Sequence, residues 1–447
     1  MFEMEIYMKK RLLTICLLCC ILLVSCTAND TGDDISLSSD SDSNNVVSDQ
    51  VSDSQLDSDT TNTVVKPEPL TDTEKSTMYA NAGEAAGRKN YQYAYGLYMR
   101  LAAEGYSDSA QKAAELRMNA YARPVAYVNK GAFHQLSDTE VLGDGGCLYL
   151  DEQGTPKYMY AAADENGNTS IHTLIPDPSL KNVKSIVYSE TFGHTDVWMC
   201  LLLKGDGTLA YFIDTETMKK TIDGLKSGEI ADKDGFMLGE YTRAAEDIEN
   251  GFIPFVKAQK DVVYVDYGPE DVAFVCLKSD GTVSAYGDYL CSQMSKLNDW
   301  ENVVEISVDS SVEVMGLDKD GNILYTGNTN VDTVTSSDLF MLPSYYKTQN
   351  YILKIDDGIK EGRLFMYTDG TIEIPGDKTT LDVKDHSYIY TIKDYSGYNM
   401  QGGQCRIDTD GNIKLLQLPD EYENSSANAA WLAKLKDGMK NIKIKIS

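Results

Sequence analysis

The chain is poor in histidine, tryptophan and positive charge. His134, His172, His194 and His386 are its 4 histidines, scattered over 447 residues. No Cys-x-x-Cys pair has a matching His cluster, so no zinc site is expected. Lys and Arg number 40 against 69 Asp and Glu, giving a formal net charge of −29 and a pI near 4.4. Such a balance argues against nucleic acid as a partner, because that affinity comes mostly from neutralising phosphates with Lys and Arg. Solubility is the ordinary reason for the charge. Also missing are a Gly-x-Ser-x-Gly elbow, a His-Glu-x-x-His pair and a phosphate-cradling P-loop. Carboxylates are too numerous for any pair to stand out as acid and base. No catalytic residue, metal or cofactor is therefore expected.

Only 3 tryptophans and 10 phenylalanines stand beside 29 tyrosines. That bias suits half-exposed strand positions, where an aromatic body with a polar tip fits. The 9 cysteines do not read as a disulfide framework. Cys16, Cys19 and Cys20 lie in an apolar export segment. Cys147, Cys200, Cys276 and Cys405 each stand a few residues before an expected hairpin turn, and equivalent places in different repeats do not readily pair. They are expected to be small buried hydrophobes, with Cys291 in a loop.

Long apolar runs are confined to the start of the chain. Lys9-Lys10-Arg11 is followed by Leu12 to Val24 and then Ser25-Cys26, the pattern of a secretory signal over residues 1–25. Glu3 and Glu5 suit such a leader poorly, so Met8 competes with Met1 as the start. Leu23-Val24-Ser25-Cys26 resembles the bacterial lipobox. The resemblance implies cleavage before Cys26, lipid on its sulfur and retention on the outer face of a membrane. An ordinary signal peptide ending near Ala28 is the alternative.

Residues 26–71 are rich in Ser, Asp, Thr and Asn, with little to bury, and should remain a disordered tether. Its mean reach is about 40 Å, taking about 5–6 Å times the square root of its length. Residues 72–123 predict three short helices, ended by Pro124. Asn90-Tyr91, Ala94, Tyr98, Leu101 and Gly105-Tyr106 resemble one Sel1-like or tetratricopeptide unit. A stable solenoid needs about three such units, so a cap or spacer is expected rather than a peptide groove.

From Pro124 onward a leading strand and a hairpin turn recur. The strands begin at Val125, Val183, Val262, Val303, Ile352 and Tyr388. Their turns are Glu152-Gln153-Gly154, Asp206-Gly207, Asp280-Gly281, Asp320-Gly321, Asp369-Gly370 and Asp410-Gly411, each needing the positive φ that glycine supplies. The spacing is that of propeller blades. A seventh, degenerate blade is expected around Asp234-Gly235, and Asn441 to Ile446 is expected to pair with the first blade. Asp318 and Asp408 open Asp-x-Asp-Gly-Asn strings, but the spacing lacks the remaining calcium ligands, so a turn is expected.

Trp300 to Ile306, with Gly316-Leu317, Asp320-Gly321-Asn322-Ile323 and Gly327-Asn328, resembles the regulator of chromosome condensation (RCC1) repeat, and Leu277 to Gly287 does so again. The resemblance implies a mainly β fold over residues 124–447, a β-propeller of six or seven blades that presents loops to macromolecules. Together these readings predict a non-catalytic, monomeric, lipid-anchored extracytoplasmic protein that binds an extracellular protein or a cell-wall glycan. The competing expectation is a propeller hydrolase acting on glycans through an axial carboxylate pair.

Overall fold

The computed structural model describes residues 69–446, apart from residues 129–132, 134–140, 164–167, 190–191, 193–194, 234, 269–272, 288–296, 311–312, 319–322, 326–350, 357–363, 368, 375–376, 393–402 and 418–428. Cys26, the expected signal and tether, and the Asp320-Gly321 turn lie outside the described residues.

Three helices come first, where the sequence predicts them. Helix α1 (Asp72–Gly87) opens on a capping box, in which Thr71 Oγ1 accepts from the Glu74 N–H and the Glu74 carboxylate accepts from the Thr71 N–H at 2.8 Å. Helix α2 (Tyr91–Ala102) is capped by Asn90, whose side-chain oxygen accepts from the Tyr93 N–H. Helix α3 (Ser109–Ala120) follows a turn with Gly105 at φ +65°. Ala82, Ala85, Ala94, Ala113 and Ala120 are buried between them, so small side chains let the helices approach closely around Leu97 and Leu101.

Twenty described strands then form six antiparallel sheets, each made of consecutive strands. Sheet one holds β1 (Val125–Val128), β2 (Val141–Leu150), β3 (Pro156–Ala163) and β4 (Thr169–Leu174). Sheet two holds β5 (Val183–Ser189), β6 (Met199–Lys204) and β7 (Leu209–Ile213); sheet three holds β8 (Val262–Gly268), β9 (Ala273–Lys278) and β10 (Val283–Tyr286). Sheet four holds β11 (Val303–Ser310), β12 (Glu313–Asp318) and β13 (Ile323–Tyr325). Sheet five holds β14 (Tyr351–Asp356), β15 (Leu364–Tyr367), β16 (Thr371–Ile374) and β17 (Asp377–Asp382), and sheet six β18 (His386–Ile392), β19 (Gly403–Asp408) and β20 (Ile413–Gln417). All six expected leading strands open a sheet. Met199 to Leu203 on β6 are buried without interruption, the mark of a central strand covered on both faces.

One junction repeats through the molecule. The glycine of each described turn takes positive φ, between +70° and +89° at Gly154, Gly207, Gly281, Gly370 and Gly411. Its carbonyl then accepts a hydrogen bond from the next segment: Val183 N–H to Gly154 at 3.0 Å, Val262 to Gly207 at 3.0 Å, Val303 to Gly281 at 2.9 Å and Val383 to Gly370 at 2.9 Å. Asn182, Asp261 and Asn302, which precede three of those valines, are themselves left-handed, with φ of 56°, 58° and 56°. Asn and Asp tolerate that region better than other side-chain-bearing residues. The pair Asn/Asp-Val is thus as much a part of the repeat as Asp-Gly.

Two expectations are overturned. The stretch thought to hide a seventh blade is helical: α4 (Thr215–Ser227), α5 (Phe236–Asp247), a π-turn at Ile248–Phe252 and α6 (Ile253–Ala258). Asp214 caps α4 by accepting from the Thr217 N–H, and Met218, Ile222 and Leu225 recur at helical rather than strand spacing. These helices cover sheets two and three through Phe252, Tyr241 and Val256. Nor does the segment from Asn441 pair with sheet one. After helix α7 (Ala429–Lys440) it returns to sheet six, where Lys443 forms a bridge with Asn412 and the Ile444 N–H bonds the Gly411 carbonyl at 2.8 Å. The tail takes the place that the next valine takes at the other junctions.

Apolar cores are shared between sheets. Sheets one and two meet around Leu148, Tyr158, Trp198 and Leu202, sheets two and three around Phe192, Met199, Phe252 and Phe274, and sheets three and four around Val275, Leu277, Trp300 and Val314. Sheets one and six share a core of Tyr127, Cys147, Tyr390, Cys405 and Ile407, into which α7 and the tail insert Trp431, Leu435, Met439 and Ile444. First strands lie beside first strands: β1 touches β5 and β18, β8 touches β5 and β11, and β14 touches β18.

Candidate functional site

A polar group with partners on several sheets lies where those first strands meet, and it is carried by the short link from α3 to β1. The Arg123 guanidinium reaches β8, with Nη1 at 3.3 Å from Asp266 Oδ1 and Nη2 donating to the Tyr264 hydroxyl at 2.6 Å. The other Asp266 oxygen accepts from the Val308 N–H of β11 at 3.0 Å. Asp266 is 1 % exposed, so its charge is compensated within the protein rather than by water. The main chain of the same link serves other sheets. Arg123 N–H donates to Ser185 Oγ, its carbonyl accepts from Ile186 N–H, and the Pro124 carbonyl accepts from Leu150 N–H. Tyr390 Oη both accepts from the Val125 N–H at 2.9 Å and donates to the Val125 carbonyl at 3.1 Å. Four of the six sheets are bonded directly to residues 123–125, and sheet four joins them through Asp266.

Helix α2 sits against this centre. Gln92 binds the main chain of Ile389 twice, donating at 3.0 Å and accepting at 2.9 Å, as a neighbouring strand would. Asn90 donates to the Val383 carbonyl at 2.6 Å, and Ser387 Oγ donates to the Lys89 carbonyl at 2.7 Å. Tyr95 reaches the Val304 carbonyl of β11, and its ring meets Tyr121 edge-on, which in turn packs on Tyr264. Asn90 and Gln92 are buried polar residues with their bonds made. The helical segment is therefore fastened to the sheets as a cap.

The turn carboxylates that invite a metal reading are occupied. Asp408 Oδ1 accepts from the N–H groups of Asp410 and Asn412, and Oδ2 accepts from Asn412 Nδ2 at 2.8 Å and Lys414 Nζ at 2.7 Å. Burial alone would raise its pKa, but the bonds from Asn412 and Lys414 outweigh it and hold the carboxyl below its ordinary value. Asp206, Asp280 and Asp369 each accept from the hydroxyl and N–H of the threonine two residues on, which pushes Asp206 down to about 2. Among the described residues no group of His, Cys, Asp and Glu is arranged to hold a metal ion.

Cys147, Cys200, Cys276 and Cys405 are free thiols, all fully buried. Burial pushes Cys276 and Cys405 up to about 12 and holds Cys147 and Cys200 well above the ordinary thiol range. They pack as apolar groups. Trp300 lies over Gly316, where an added methyl carbon would stand 2.7 Å from its ring; this close approach requires the glycine of Gly316-Leu317.

An aromatic ladder lies on the outer strands of sheet one. Tyr158, Tyr160 and His172 stack in sequence, with the Tyr160 and His172 rings 5.2 Å apart and inclined by 18°. Tyr160 and His172 are half-buried, so part of each ring faces outward. Ser170 Oγ and His172 Nε2 are 2.8 Å apart at an exposed position on β4, where a serine and a histidine two residues apart share a face.

The hub escapes a motif search. Arg123 precedes a proline and reads only as a boundary, and no motif contains Asp266. The available signal is an aspartate within the apolar run Val262 to Tyr267, since a carboxylate in a buried strand requires a partner. Cys26 lies outside the described residues. No helix among the described residues is long and apolar enough to cross a membrane. Neither protein families, characterised proteins nor solved structures offer a match to this chain.

Proposed function

We propose that this chain is a lipid-anchored, extracytoplasmic, non-catalytic interaction protein, built on a six-bladed β-propeller that presents loops to a protein or cell-wall glycan. The propeller reading is supported by the chain-ordered antiparallel sheets, the repeated glycine-carbonyl junction, the side-by-side first strands and the core shared by sheets one and six. Anchoring rests on the Leu23-Val24-Ser25-Cys26 lipobox.

The observation that carries the binding reading is the hub. In a propeller the axis is where a hydrolase would gather its carboxylates. Here Asp266 already accepts from Arg123 and from the Val308 N–H, and α2 covers the neighbouring strands. A carboxylate so held serves neither as a proton donor nor as a nucleophile. Contact with a partner then falls to the periphery, where the Tyr160 and His172 rings offer a flat aromatic surface.

Two measurements test this. Cys26→Ala should release the protein from membranes into the medium, and continued retention defeats the anchor. The full chain, incubated with purified wall glycan, should co-sediment without generating reducing ends; new reducing ends would establish the hydrolase instead.

A further inference from the structure

The tail beyond α7 reaches past sheet six. Ile442, Ile444 and Ile446 pack against the core of sheets one and six, and the residues between them, Lys443 and Lys445, fall on the opposite side. The Lys445 ammonium donates to Asn182 Oδ1 at 3.1 Å, across 263 positions of sequence. Asn182 is where sheets one and two are joined: its N–H donates to the Gln153 carbonyl at 3.1 Å, and its carbonyl accepts from the Gly205 N–H at 2.8 Å. Gln153 belongs to the turn of sheet one and Gly205 to the turn of sheet two. With Ile444 bonded to Gly411 of sheet six, one short segment spans from that sheet to the junction of the first two.

That contact is made against a like charge. Lys184 stands two residues beyond Asn182, on β5, half-buried between the buried Val183 and Ser185. Burial, and after it the neighbouring Lys445, bring its ammonium down to about 8. Most other charges on the surrounding elements already have partners. Lys204 of β6 pairs with Asp206, Asp266 of β8 with Arg123 and Asp151 of the sheet-one turn with Lys157, while Lys181 donates to the Thr155 hydroxyl. Glu152 and Lys443 are exposed, β1 carries no charged residue, and β2 carries Asp144 alone. Two ammonium groups set close together raise the free energy of the seated tail, by an amount that water and salt damp and partial burial preserves.

We propose that the tail is a charge-controlled latch, fastened to the junction of sheets one and two by Lys445 and loosened by the like charge of Lys184. A lysine whose ammonium is disfavoured in the folded state costs stability in full below about pH 8. The cost fades as pH rises toward 10.5, the value at which the unfolded chain also gives up that proton. The latch is therefore looser at neutral pH and tighter in alkali. It is independent of the lipid anchor and of the loop-presenting face.

Hydrogen exchange of the full chain in detergent, read by mass spectrometry on the segment that carries Ile444 and compared between variants at the same pH, tests it. At about pH 7.5, Lys184→Met should slow exchange in that segment several-fold. Asn182→Gly, which keeps the left-handed backbone but removes the amide oxygen, should speed it. The gap between wild type and Lys184→Met should narrow as pH is raised from about 8 to about 10. Lys184→Arg keeps its charge over that range, so its gap from Lys184→Met should persist. Exchange in Lys184→Met no slower than in wild type at about pH 7.5, or a wild-type gap that stays constant up to about pH 10, overturns the proposal. Should Lys184→Met fail to fold, Lys184→Gln removes the same charge and is held to the same two outcomes.

Discussion

Arg123 and Asp266 form an ion pair at 3.3 Å in which side-chain exposure is 13 % and 2 %. The two residues come from the link before sheet one and from the first strand of sheet three, so the pair holds distant parts of the chain at one point. Asp266→Ala should lower unfolding stability by about 3–5 kcal/mol in a urea titration, because it strands a buried guanidinium and the Val308 N–H. The double variant Arg123→Met with Asp266→Leu should recover most of that loss. No recovery would mean that the hydrogen bonds to Tyr264 and Val308, rather than charge compensation, dominate.

The junction glycines carry two demands, and these can be separated. Gly228 has φ +78° with open space around it, so Gly228→Ala should cost about 1–2 kcal/mol from backbone strain alone. At Gly207, with φ +77°, an added methyl carbon would also stand 2.9 Å from Asp261 Cα, within the backbone of the next sheet. Gly207→Ala should be clearly the more destabilising of the two by denaturant melting. Equal costs would show that the sheets do not bear on one another through the turn.

Acid should loosen the turns late, after ordinary carboxylates have largely taken up protons, because the turn aspartates hold their charged form. Asp206 is pushed down to about 2 by its bonds from Thr208, below the ordinary 3.8. A depressed carboxyl contributes stability that is full above its unfolded pKa and lost as pH falls through the folded one. That contribution should drain between about pH 4 and pH 2. Asp280 and Asp369 shift in the same direction through Thr282 and Thr371. Replacing Asp206, Asp280 and Asp369 together by Asn should flatten the stability profile over that window, measured by melting temperature against pH. An unchanged slope would assign the acid sensitivity elsewhere.

Leu435 on α7 is fully buried in the core that joins sheets one and six. Leu435→Ala should cost about 2–5 kcal/mol, and hydrogen exchange should rise in β1–β3 and β18–β20 together. Faster exchange confined to α7 would show that the helix is an appendage.

The repeat was legible because its chemistry is local. Asp-Gly turns and apolar leading strands announce themselves over a few residues, and five of the six expected turns fall within the described structure with glycine at positive φ. The helical segment was legible for the same reason, through the spacing of Ala94, Tyr98 and Leu101 and the stop at Pro124, although its first cap is Thr71 rather than the expected Asp72 or Thr73. Residues 214–259 were misread because Asp234-Gly235 looked like another turn while the helical spacing of Met218, Ile222 and Leu225 went unweighed. The hub could not be read, since Arg123 and Asp266 lie 143 positions apart and only the side-by-side packing of the first strands brings them together. The course of the tail is equally non-local. Its three isoleucines suit any apolar surface, and only the free carbonyl at Gly411 selects one.

That selection has a consequence for copies of this protein meeting one another. A repeat whose described turns each offer an acceptor to the following unit carries, at Gly411, an invitation to the head of a neighbouring molecule. With Ile444 already seated on Gly411, the invitation is answered within the same molecule, and crowding would bring these chains side by side without linking them into strings.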